Sequence, residues 1–148
     1  MGPLAGVRIV EFGGIGPVPM CAMLLADLGA EVIRIGTASK TRGGGGGGRA
    51  INKKSITLNF RHPKGLELAY KLVAKSDVVV ENHAAGTLTR RGLGYADLKK
   101  VKPDIIYLST CMQGQTGPYA AHAGFGHVLT ALSGFSQIAG WPDKEPGW

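Results

Sequence analysis

The sequence predicts an α/β fold built on a doubly wound, mainly parallel sheet. Short apolar segments of strand length alternate along the chain with segments whose apolar residues recur at helical spacing. The strand segments are apolar almost throughout, which is typical of parallel strands covered by helices on both faces. Such a sheet is Rossmann-like, and its ligands usually bind at the carboxyl ends of the strands.

The first strand, helix and second strand are predicted at the N-terminal end of the chain. Residues 7–12 form an apolar, β-prone segment that is followed by two glycines. Residues 20–28 have helical periodicity, and Gly29 stands where a helix commonly ends. Residues 31–35 predict the second strand. The apolar face predicted for the helix consists of Cys21, Leu24, Leu25 and Leu28.

Three more strands and three more helices are predicted further along the chain. The strands are residues 55–59, 77–80 and 105–109. One helix is predicted to begin at Pro63, since proline suits a first turn, and another spans residues 95–101, before Pro103. A third is predicted over residues 128–138, with Gly134 as its weakest position. The buried stripe predicted for the helix after Pro63 consists of Leu66, Ala69, Tyr70 and Val73.

Composition and charge limit the classes of partner. The 148 residues suffice for one domain, and their formal net charge is +7. A basic balance favours an anionic partner, such as nucleic acid, an acidic membrane or a phosphorylated small molecule. No arginine-rich stripe is interleaved with aromatic residues, which disfavours nucleic acid. Without a membrane-spanning run or a leader pattern, we expect a cytoplasmic protein with no nucleic-acid or membrane partner.

The cysteines and histidines do not indicate a metal site or a disulfide framework. Cys21 and Cys111 are far apart, and neither belongs to a CxxC pair. We interpret both as packing residues, because no base for a nucleophilic thiol is identifiable beside Cys111. The four histidines, which have no ligand spacing among them, are His62, His83, His122 and His127. We therefore expect no metal.

The loop after the first strand suits an anion better than a nicotinamide cofactor. Gly14 and Gly16 do not meet the GxGxxG spacing, because Pro17 follows directly. Gly36 follows the second strand in place of the acidic residue that would hold a ribose. Backbone amides at a helix N-terminus can still approach a phosphate closely in a loop without bulky side chains. A nicotinamide-linked oxidoreductase stays an alternative hypothesis.

A run of six glycines, residues 43–48, interrupts the chain after the second predicted strand. Low-complexity glycine indicates a flexible surface linker. The phosphate-binding pattern GxxxxGK[ST] is absent from it. Arg42 and Arg49 flank the run and would reach an anion if the loop closed over one.

Six sequence blocks carry a family resemblance. In chain order they are residues 3–8 (PLAGVR), 25–33 (LADLGAEVI), 52–59 (NKKSITLN), 77–82 (DVVVEN), 90–95 (RRGLGY) and 114–119 (GQTGPY), the last followed by Gly124 and Phe125. In order and spacing these blocks resemble the N-terminal part of the family III CoA transferases, the CaiB/BaiF type. Its relatives include formyl-CoA transferase and α-methylacyl-CoA racemase.

The resemblance implies an enzyme that moves CoA from an acyl-CoA to a carboxylic acid. In this family an aspartate nucleophile forms acyl-anhydride and CoA-thioester intermediates, and the subunits form interlocked homodimers. The matching aspartate would fall just beyond Trp148, because Asp143 stands too early. We therefore expect residues 1–148 to be one CoA-binding domain, the N-terminal portion of a larger interlocked-dimer fold, inactive without the nucleophile.

The resemblance also assigns candidate CoA contacts at positions that match the family's motifs. They are Gly16, Pro17, Leu58, Asn59, Phe60, Arg61, Asn82, His83, Ala84, Arg90, His122, Ala123, Gly124, Phe125 and Gly126. Arg61 and Arg90 suit the phosphates, since a guanidinium holds phosphate oxygens bidentately. The alternative interpretation of both arginines is a solvated basic face.

One departure from the family pattern affects a phosphate contact. Gly36 and Thr37 stand where the family often has an acidic residue and an arginine. Arg34, Lys40 or Arg42 would have to take over that contact.

Two alternatives stay open within the same resemblance. The racemases use a His–Asp pair to move an α-proton, but their histidine would fall at Phe125, and His127 lies two residues further on. The second alternative is a CoA-binding fragment without catalytic activity. The sequence names neither the acyl-CoA nor the acid.

Overall fold

The computed structural model describes residues 2–36 and 51–145. Its strands are β1 (Arg8–Phe12), β2 (Glu31–Gly36), β3 (Lys53–Thr57), β4 (Val78–Glu81) and β5 (Ile106–Ser109). Its helices are α1 (Pro17–Asp27), α2 (Pro63–Val73), α3 (Tyr95–Val101), α4 (Gly126–Leu132) and α5 (Phe135–Ile138), with a short 3-10 helix at Thr89–Arg91. All the paired strands are parallel, which confirms the predicted fold class.

The sheet has the strand order β3-β2-β1-β4-β5, so it extends from β1 in both directions. Val10 of β1 is aligned with Ile33 of β2 and with Val79 of β4. The chain first winds away from β1 through β2 and β3, and then returns to the other side of β1 at β4. A crevice therefore opens between the carboxyl ends of β1 and β4, where ligands of such sheets bind. We call this position the switch point.

Helices cover both faces of the sheet, because side chains along each strand point alternately to one face and the other. On one face, α1 packs on a core cluster formed by Ile9, Val18, Ala22, Ala26, Ala30, Val32 and Val80. On the other face, α2 and α3 pack on a cluster that includes Val10, Phe12, Ile35, Leu58, Ala69, Val73, Val79 and Leu98. The doubly wound arrangement is therefore as predicted.

The buried face of α1 differs from the predicted one. Its buried residues include Val18, Ala22 and Ala26, whereas Leu24 and Leu28 are 50% and 46% exposed. The helix is apolar on nearly every side, so periodicity alone did not identify the face that packs. The packed face of α1 consists mainly of small side chains, which let the helix approach the sheet closely.

Several boundaries also differ from the predictions. α1 begins at Pro17, three residues early, because proline occupies a first helical position readily. β3 ends at Thr57, so Leu58 and Asn59 belong to the following loop. The helix predicted over residues 128–138 is two helices, since Gly134 has a φ of +82°, a left-handed conformation that interrupts a helix.

Other boundaries are confirmed. α2 begins at Pro63, and α3 spans Tyr95–Val101 as predicted. Gly29 follows α1 with a φ of +101°, as expected of the glycine that ends a helix. The glycine run with Arg42 and Arg49, together with Thr37, Lys40 and Trp148, lies outside the described residues.

Candidate functional site

The loops that carry most of the candidate contacts lie at one edge of the sheet. Because the strands are parallel, the loops after β1, β3, β4 and β5 all begin at the carboxyl edge. The loop after β2 starts at residue 37, outside the described residues. The sequence predicts that ligand-binding loops share the carboxyl edge, and four described loops begin there.

The loops after β1 and β4 touch at the switch point. The Asn82 side-chain amide donates from Nδ2 to the carbonyl oxygen of Ile15, at 2.6 Å. Gly14 lies so close that a Cβ atom there would overlap Asn82 Oδ1. That oxygen is buried and has no hydrogen-bond partner within residues 2–36 and 51–145. The switch point thus holds one buried acceptor without a donor among the described residues, which is costly unless water or a ligand supplies one.

Gly16 and Pro17 form the entrance to α1. Gly16 has a φ of +87° and lies just before the helix, with open space on the side where a Cβ would stand. Pro17 is the first helical residue, and its missing N–H removes a donor that the helix would leave unpaired. The helix start is therefore open to an approaching group on the Gly16 side.

The segment after β3 folds back against the centre of the sheet. Leu58 is buried, and its amide donates to the Gly36 carbonyl at 3.0 Å. The Phe60 ring packs edge-on against Phe12 of β1, with centroids 5.6 Å apart. Asn59 Oδ1 accepts from the Arg61 amide at 3.0 Å, and Arg61 itself is exposed. These contacts bring residues 58–61 toward the end of β1.

The two candidate arginines lie on different parts of the carboxyl edge. Arg90 lies in the 3-10 helix and faces the loop after β4, with one guanidinium nitrogen 3.4 Å from the Ala85 carbonyl and another 3.4 Å from Thr87 Oγ1. Arg61 follows β3, three strand positions from β4 in the sheet order. Phe60, which packs against Phe12 of β1, brings the segment that contains Arg61 toward the centre of the sheet.

The segment His122–Gly126 leads into α4. His122 donates from its amide to the Tyr119 carbonyl at 2.8 Å, and Gly124 packs against the Met112 side chain. The Phe125 ring is 61% exposed and stacks on the His127 ring, with centroids 6.0 Å apart. Local contacts hold this segment, and its outer surface is open.

A polar cluster at the ends of β4 and β5 contains one residue that the sequence reasoning assigned, His83, and three that it did not, Glu81, Ser109 and Gln115. Glu81 is 4% exposed and accepts from the His83 amide at 2.7 Å, while His83 Nδ1 lies 3.3 Å from the same oxygen. The Ser109 hydroxyl donates to the other Glu81 oxygen, and the Gln115 side chain donates to Ser109. The cluster therefore ties the loop after β4 to the loop after β5.

The environment of Glu81 favours its charged form. Burial alone would raise the pKa of this carboxyl, but the hydrogen bonds from the His83 side chain, from Ser109 and from the His83 amide together hold it below its ordinary value. Tyr107 has the opposite shift, because burial, and then the nearby Glu81 charge, raise its pKa far above the usual range. Both side chains line a cavity of about 350 Å³ together with Gly86, Leu88, Thr89, Tyr95, Ser109 and Gln115.

The only sequence signal for this cluster was a polar residue at the end of each apolar strand. Glu81 ends β4 and Ser109 ends β5, and these positions are paired in the sheet register. A pattern read along the chain does not reveal such a pairing, because the two residues are 28 positions apart.

Comparison with known proteins decides the family. The sequence profile described as CoA-transferase family III matches residues 4–148. The chain belongs to this family. A succinyl-CoA–D-citramalate CoA-transferase of Chloroflexus aurantiacus is 40% identical over 97% of this chain and 39% of its own length. A mouse succinyl-CoA:glutarate CoA-transferase is 40% identical over 99% of this chain and 36% of its own length.

A solved structure of the same family shares the fold. A CaiB/BaiF family protein from Brucella suis superposes with a TM-score of 0.89 and 36% identity, over 99% of this chain and 43% of that protein. This family III chain thus spans about two fifths of the length of the relatives that it matches. The resemblance inferred from the six blocks is confirmed.

Two searches of the described residues bear on cofactors and membranes. Among residues 2–36 and 51–145, no three His, Cys, Asp or Glu side chains are grouped so that they would hold a metal ion. In the same part of this family III chain, no helix is both long and apolar enough to cross a bilayer.

Proposed function

We propose that this chain is the CoA-binding part of a transferase that moves CoA from an acyl-CoA to a carboxylic acid. Membership of CoA-transferase family III supports this activity, and so do relatives whose names specify CoA transfer from succinyl-CoA. The observation that carries the proposal is the switch point, where two touching loops leave one buried acceptor and an open helix start.

In this proposal CoA lies across the carboxyl edge of the sheet. The loop at Gly16 and the start of α1 receive phosphate or nucleotide atoms, because a helix N-terminus attracts negative charge. Leu58 and Phe60 supply the apolar side of the adenine site, and Arg61 supplies a guanidinium. Asn82 Oδ1 accepts from an N–H of the ligand, and pantetheine contains two amide N–H groups.

The remaining candidates complete the proposed site. Arg90 holds a second phosphate from the loop after β4, with His83 and Ala84 beside it. The segment His122–Gly126 covers the thioester end of CoA. In this proposal residues 1–148 belong to one CoA-binding domain.

The proposed chemistry uses an aspartate that lies beyond residue 148. Its carboxylate attacks the thioester carbonyl, so that an anhydride forms and CoA leaves as a thiolate. The thiolate then attacks the aspartyl carbonyl, which releases the first acid and leaves an aspartyl-CoA thioester. The second acid repeats the two steps in reverse, and this chain's part is to hold CoA in place throughout.

We also propose that the whole protein is a homodimer. The C-terminal part of the described chain exposes large apolar side chains, which usually mark surface covered by further protein. These are Tyr119 (69% exposed), Phe125 (61%), Leu132 (62%), Phe135 (61%), Ile138 (78%) and Trp141 (74%). A cytoplasmic location stays a prediction.

Calorimetric titration of the full-length protein tests the ligand. We expect CoA to bind and NADH not to bind. If NADH bound and CoA did not, the result would instead support the nicotinamide-linked alternative.

An exchange assay tests the reaction. Full-length protein is mixed with succinyl-CoA and a labelled dicarboxylic acid, and we expect label in the CoA thioester. The chain ending at residue 148 serves as the control, and we expect no transfer from it. Transfer by that control would disprove the assignment of the nucleophile beyond residue 148. Exchange of the α-proton without CoA transfer would favour the racemase alternative.

A further inference from the structure

A buried ion pair lies behind the switch-point loops. The Lys53 side chain, at the first residue of β3, is 1% exposed, and the Glu11 side chain of β1 is fully buried. Lys53 Nζ donates to Glu11 Oε2 at 2.6 Å, and the other Glu11 oxygen lies 3.5 Å from Arg34 Nε. Burying a charged pair gains little stability over apolar packing, and the best-attested reason for keeping one is to fix a unique alignment.

The ion pair joins three elements of the proposed site. Besides Glu11, Lys53 Nζ donates to the carbonyl oxygen of Pro19, at 2.7 Å. Pro19 lies in the first turn of α1, directly after the open loop at Gly16. One ammonium group therefore ties the start of β3 to the end of β1 and to the beginning of α1.

Near Lys53, two further side-chain contacts hold β3: Asn52 donates to Asp27 Oδ1 at 2.6 Å, and the exposed Lys54 pairs with Glu31 at the surface. β3 pairs with β2 alone among the described strands, and its next four residues are exposed. Strands without a buried side-chain set slip easily in register. In the observed register Lys53 is aligned with Val32, which places its side chain on the face that carries Glu11. Beyond the strand, Leu58 is buried and fixes the other end.

We propose that Lys53 is a positioning residue for CoA binding. By bonding Glu11 and Pro19, Lys53 fixes the position of β3 relative to β1 and α1. Because β3 leads into the segment 58–61, Lys53 thereby sets the distance between that segment and the start of α1. In the proposed function both elements contact the same nucleotide. This inference rests on the proposed function for its ligand, but the geometric part does not need CoA.

The test uses three variants of the full-length protein. Lys53→Met leaves Glu11 buried without the ammonium, so the midpoint of thermal unfolding falls. Glu11→Gln combined with Lys53→Met removes both members of the pair and reverses most of the decrease in the unfolding midpoint. Lys54→Met is the matched control, because Lys54 is the next residue of the same strand, its side chain is 72% exposed, and the ion pair that it loses is a surface one, with Glu31 of β2.

Two measurements then separate positioning from stability. In the double variant we expect CoA affinity to stay about tenfold below that of the unsubstituted protein, the lower end of the loss seen when a residue that orients a metal ligand is replaced. We also expect faster amide exchange at Met20 and Leu58 in the absence of CoA. Lys54→Met leaves both quantities unchanged. Full CoA affinity in the double variant, or unchanged amide exchange, would overturn the proposal.

The outcome for Lys53 is distinguishable from the outcome for the proposed function. If the unsubstituted protein does not bind CoA, the proposed function fails, and amide exchange alone decides the positioning role. Faster exchange in the double variant would then support the role of Lys53, and unchanged exchange would refute it.

Discussion

The sheet region and the C-terminal segment of this chain differ in how they bury their apolar residues. The sheet region, residues 2–36 and 51–109, has two core clusters, one on each face. The C-terminal segment, residues 111–145, is equally rich in apolar side chains, yet α4 and α5 contain no buried residue. Apolar composition alone therefore does not make a core; helices need a partner surface that covers them.

This difference agrees with the share of the family that the chain represents. The relatives are more than twice as long as the part that matches. The sheet region needs none of that additional length to form its core, whereas the C-terminal segment has nothing within the described residues to bury α4 and α5. We therefore propose that the sheet region, together with the segment His122–Gly126, binds the ligand, and that the exposed side chains of α4 and α5 serve assembly.

The largest expected effect separates a core phenylalanine from an exposed one. In the 148-residue chain, Phe12→Ala should lower the free energy of unfolding by about 3–5 kcal/mol, because Phe12 is 1% exposed. Phe135→Ala should change it by less than about 0.5 kcal/mol, because Phe135 is 61% exposed. Denaturant unfolding measures both values.

The same pair sharpens the assignment of the C-terminal segment. In the full-length protein, Phe135→Ala should cost about 2 kcal/mol or more, because the proposed assembly covers that ring. An effect as small as in the 148-residue chain would show that Phe135 stays exposed and would contradict the assembly role.

A smaller effect is expected from glycines in the two regions. Gly14→Ala would push the Asn82 side chain away and break its hydrogen bond to Ile15, which should cost about 1 kcal/mol. The same substitution should weaken CoA binding measurably, since Asn82 loses its position. Gly126→Ala is the control, because a Cβ there meets open space, and we expect less than about 0.5 kcal/mol. Gly126 is itself a proposed CoA contact and serves as the control for stability only. An unchanged CoA affinity in Gly14→Ala would remove Asn82 from the site.

The smallest effect concerns pH and the buried Glu81. Its folded-state pKa lies below the ordinary value of 4.5, so its ionised form stabilises the fold above that value. The contribution is lost as the pH falls through the folded-state pKa. We therefore expect the unsubstituted protein to lose more stability between pH 7 and pH 3 than Glu81→Gln does. Urea unfolding across that range would contradict this if both proteins lost the same amount.

The sequence predicted the central strands well because β1 and β4 are buried on both faces, whereas β3 and β5 keep exposed residues. The apolar runs of β1 and β4 can be identified along the chain without any knowledge of tertiary contacts. Pro63 likewise marks the start of α2. The face of α1 was wrong, because Leu24 and Ala22 are both apolar and only packing distinguishes them.

The candidate site was predictable only as far as motifs extend along the chain. Asn82 was identified through a family block, but its contact with Gly14 depends on the fold. Lys53 and Glu11 lie 42 positions apart, and nothing in either local sequence indicates that a lysine at the start of an edge strand is buried. Pairings of this kind become visible only when the strand order and register are known.

Hydrogen exchange with mass spectrometry, on the full-length protein with and without CoA, tests the central claim most directly. The account predicts that CoA slows exchange together in three segments: residues 13–20, 58–62 and 82–90. Residues 95–102, which carry α3 on a face of the sheet, should not change. Protection confined to α3 or to the C-terminal segment, with none at the switch point, would contradict the account.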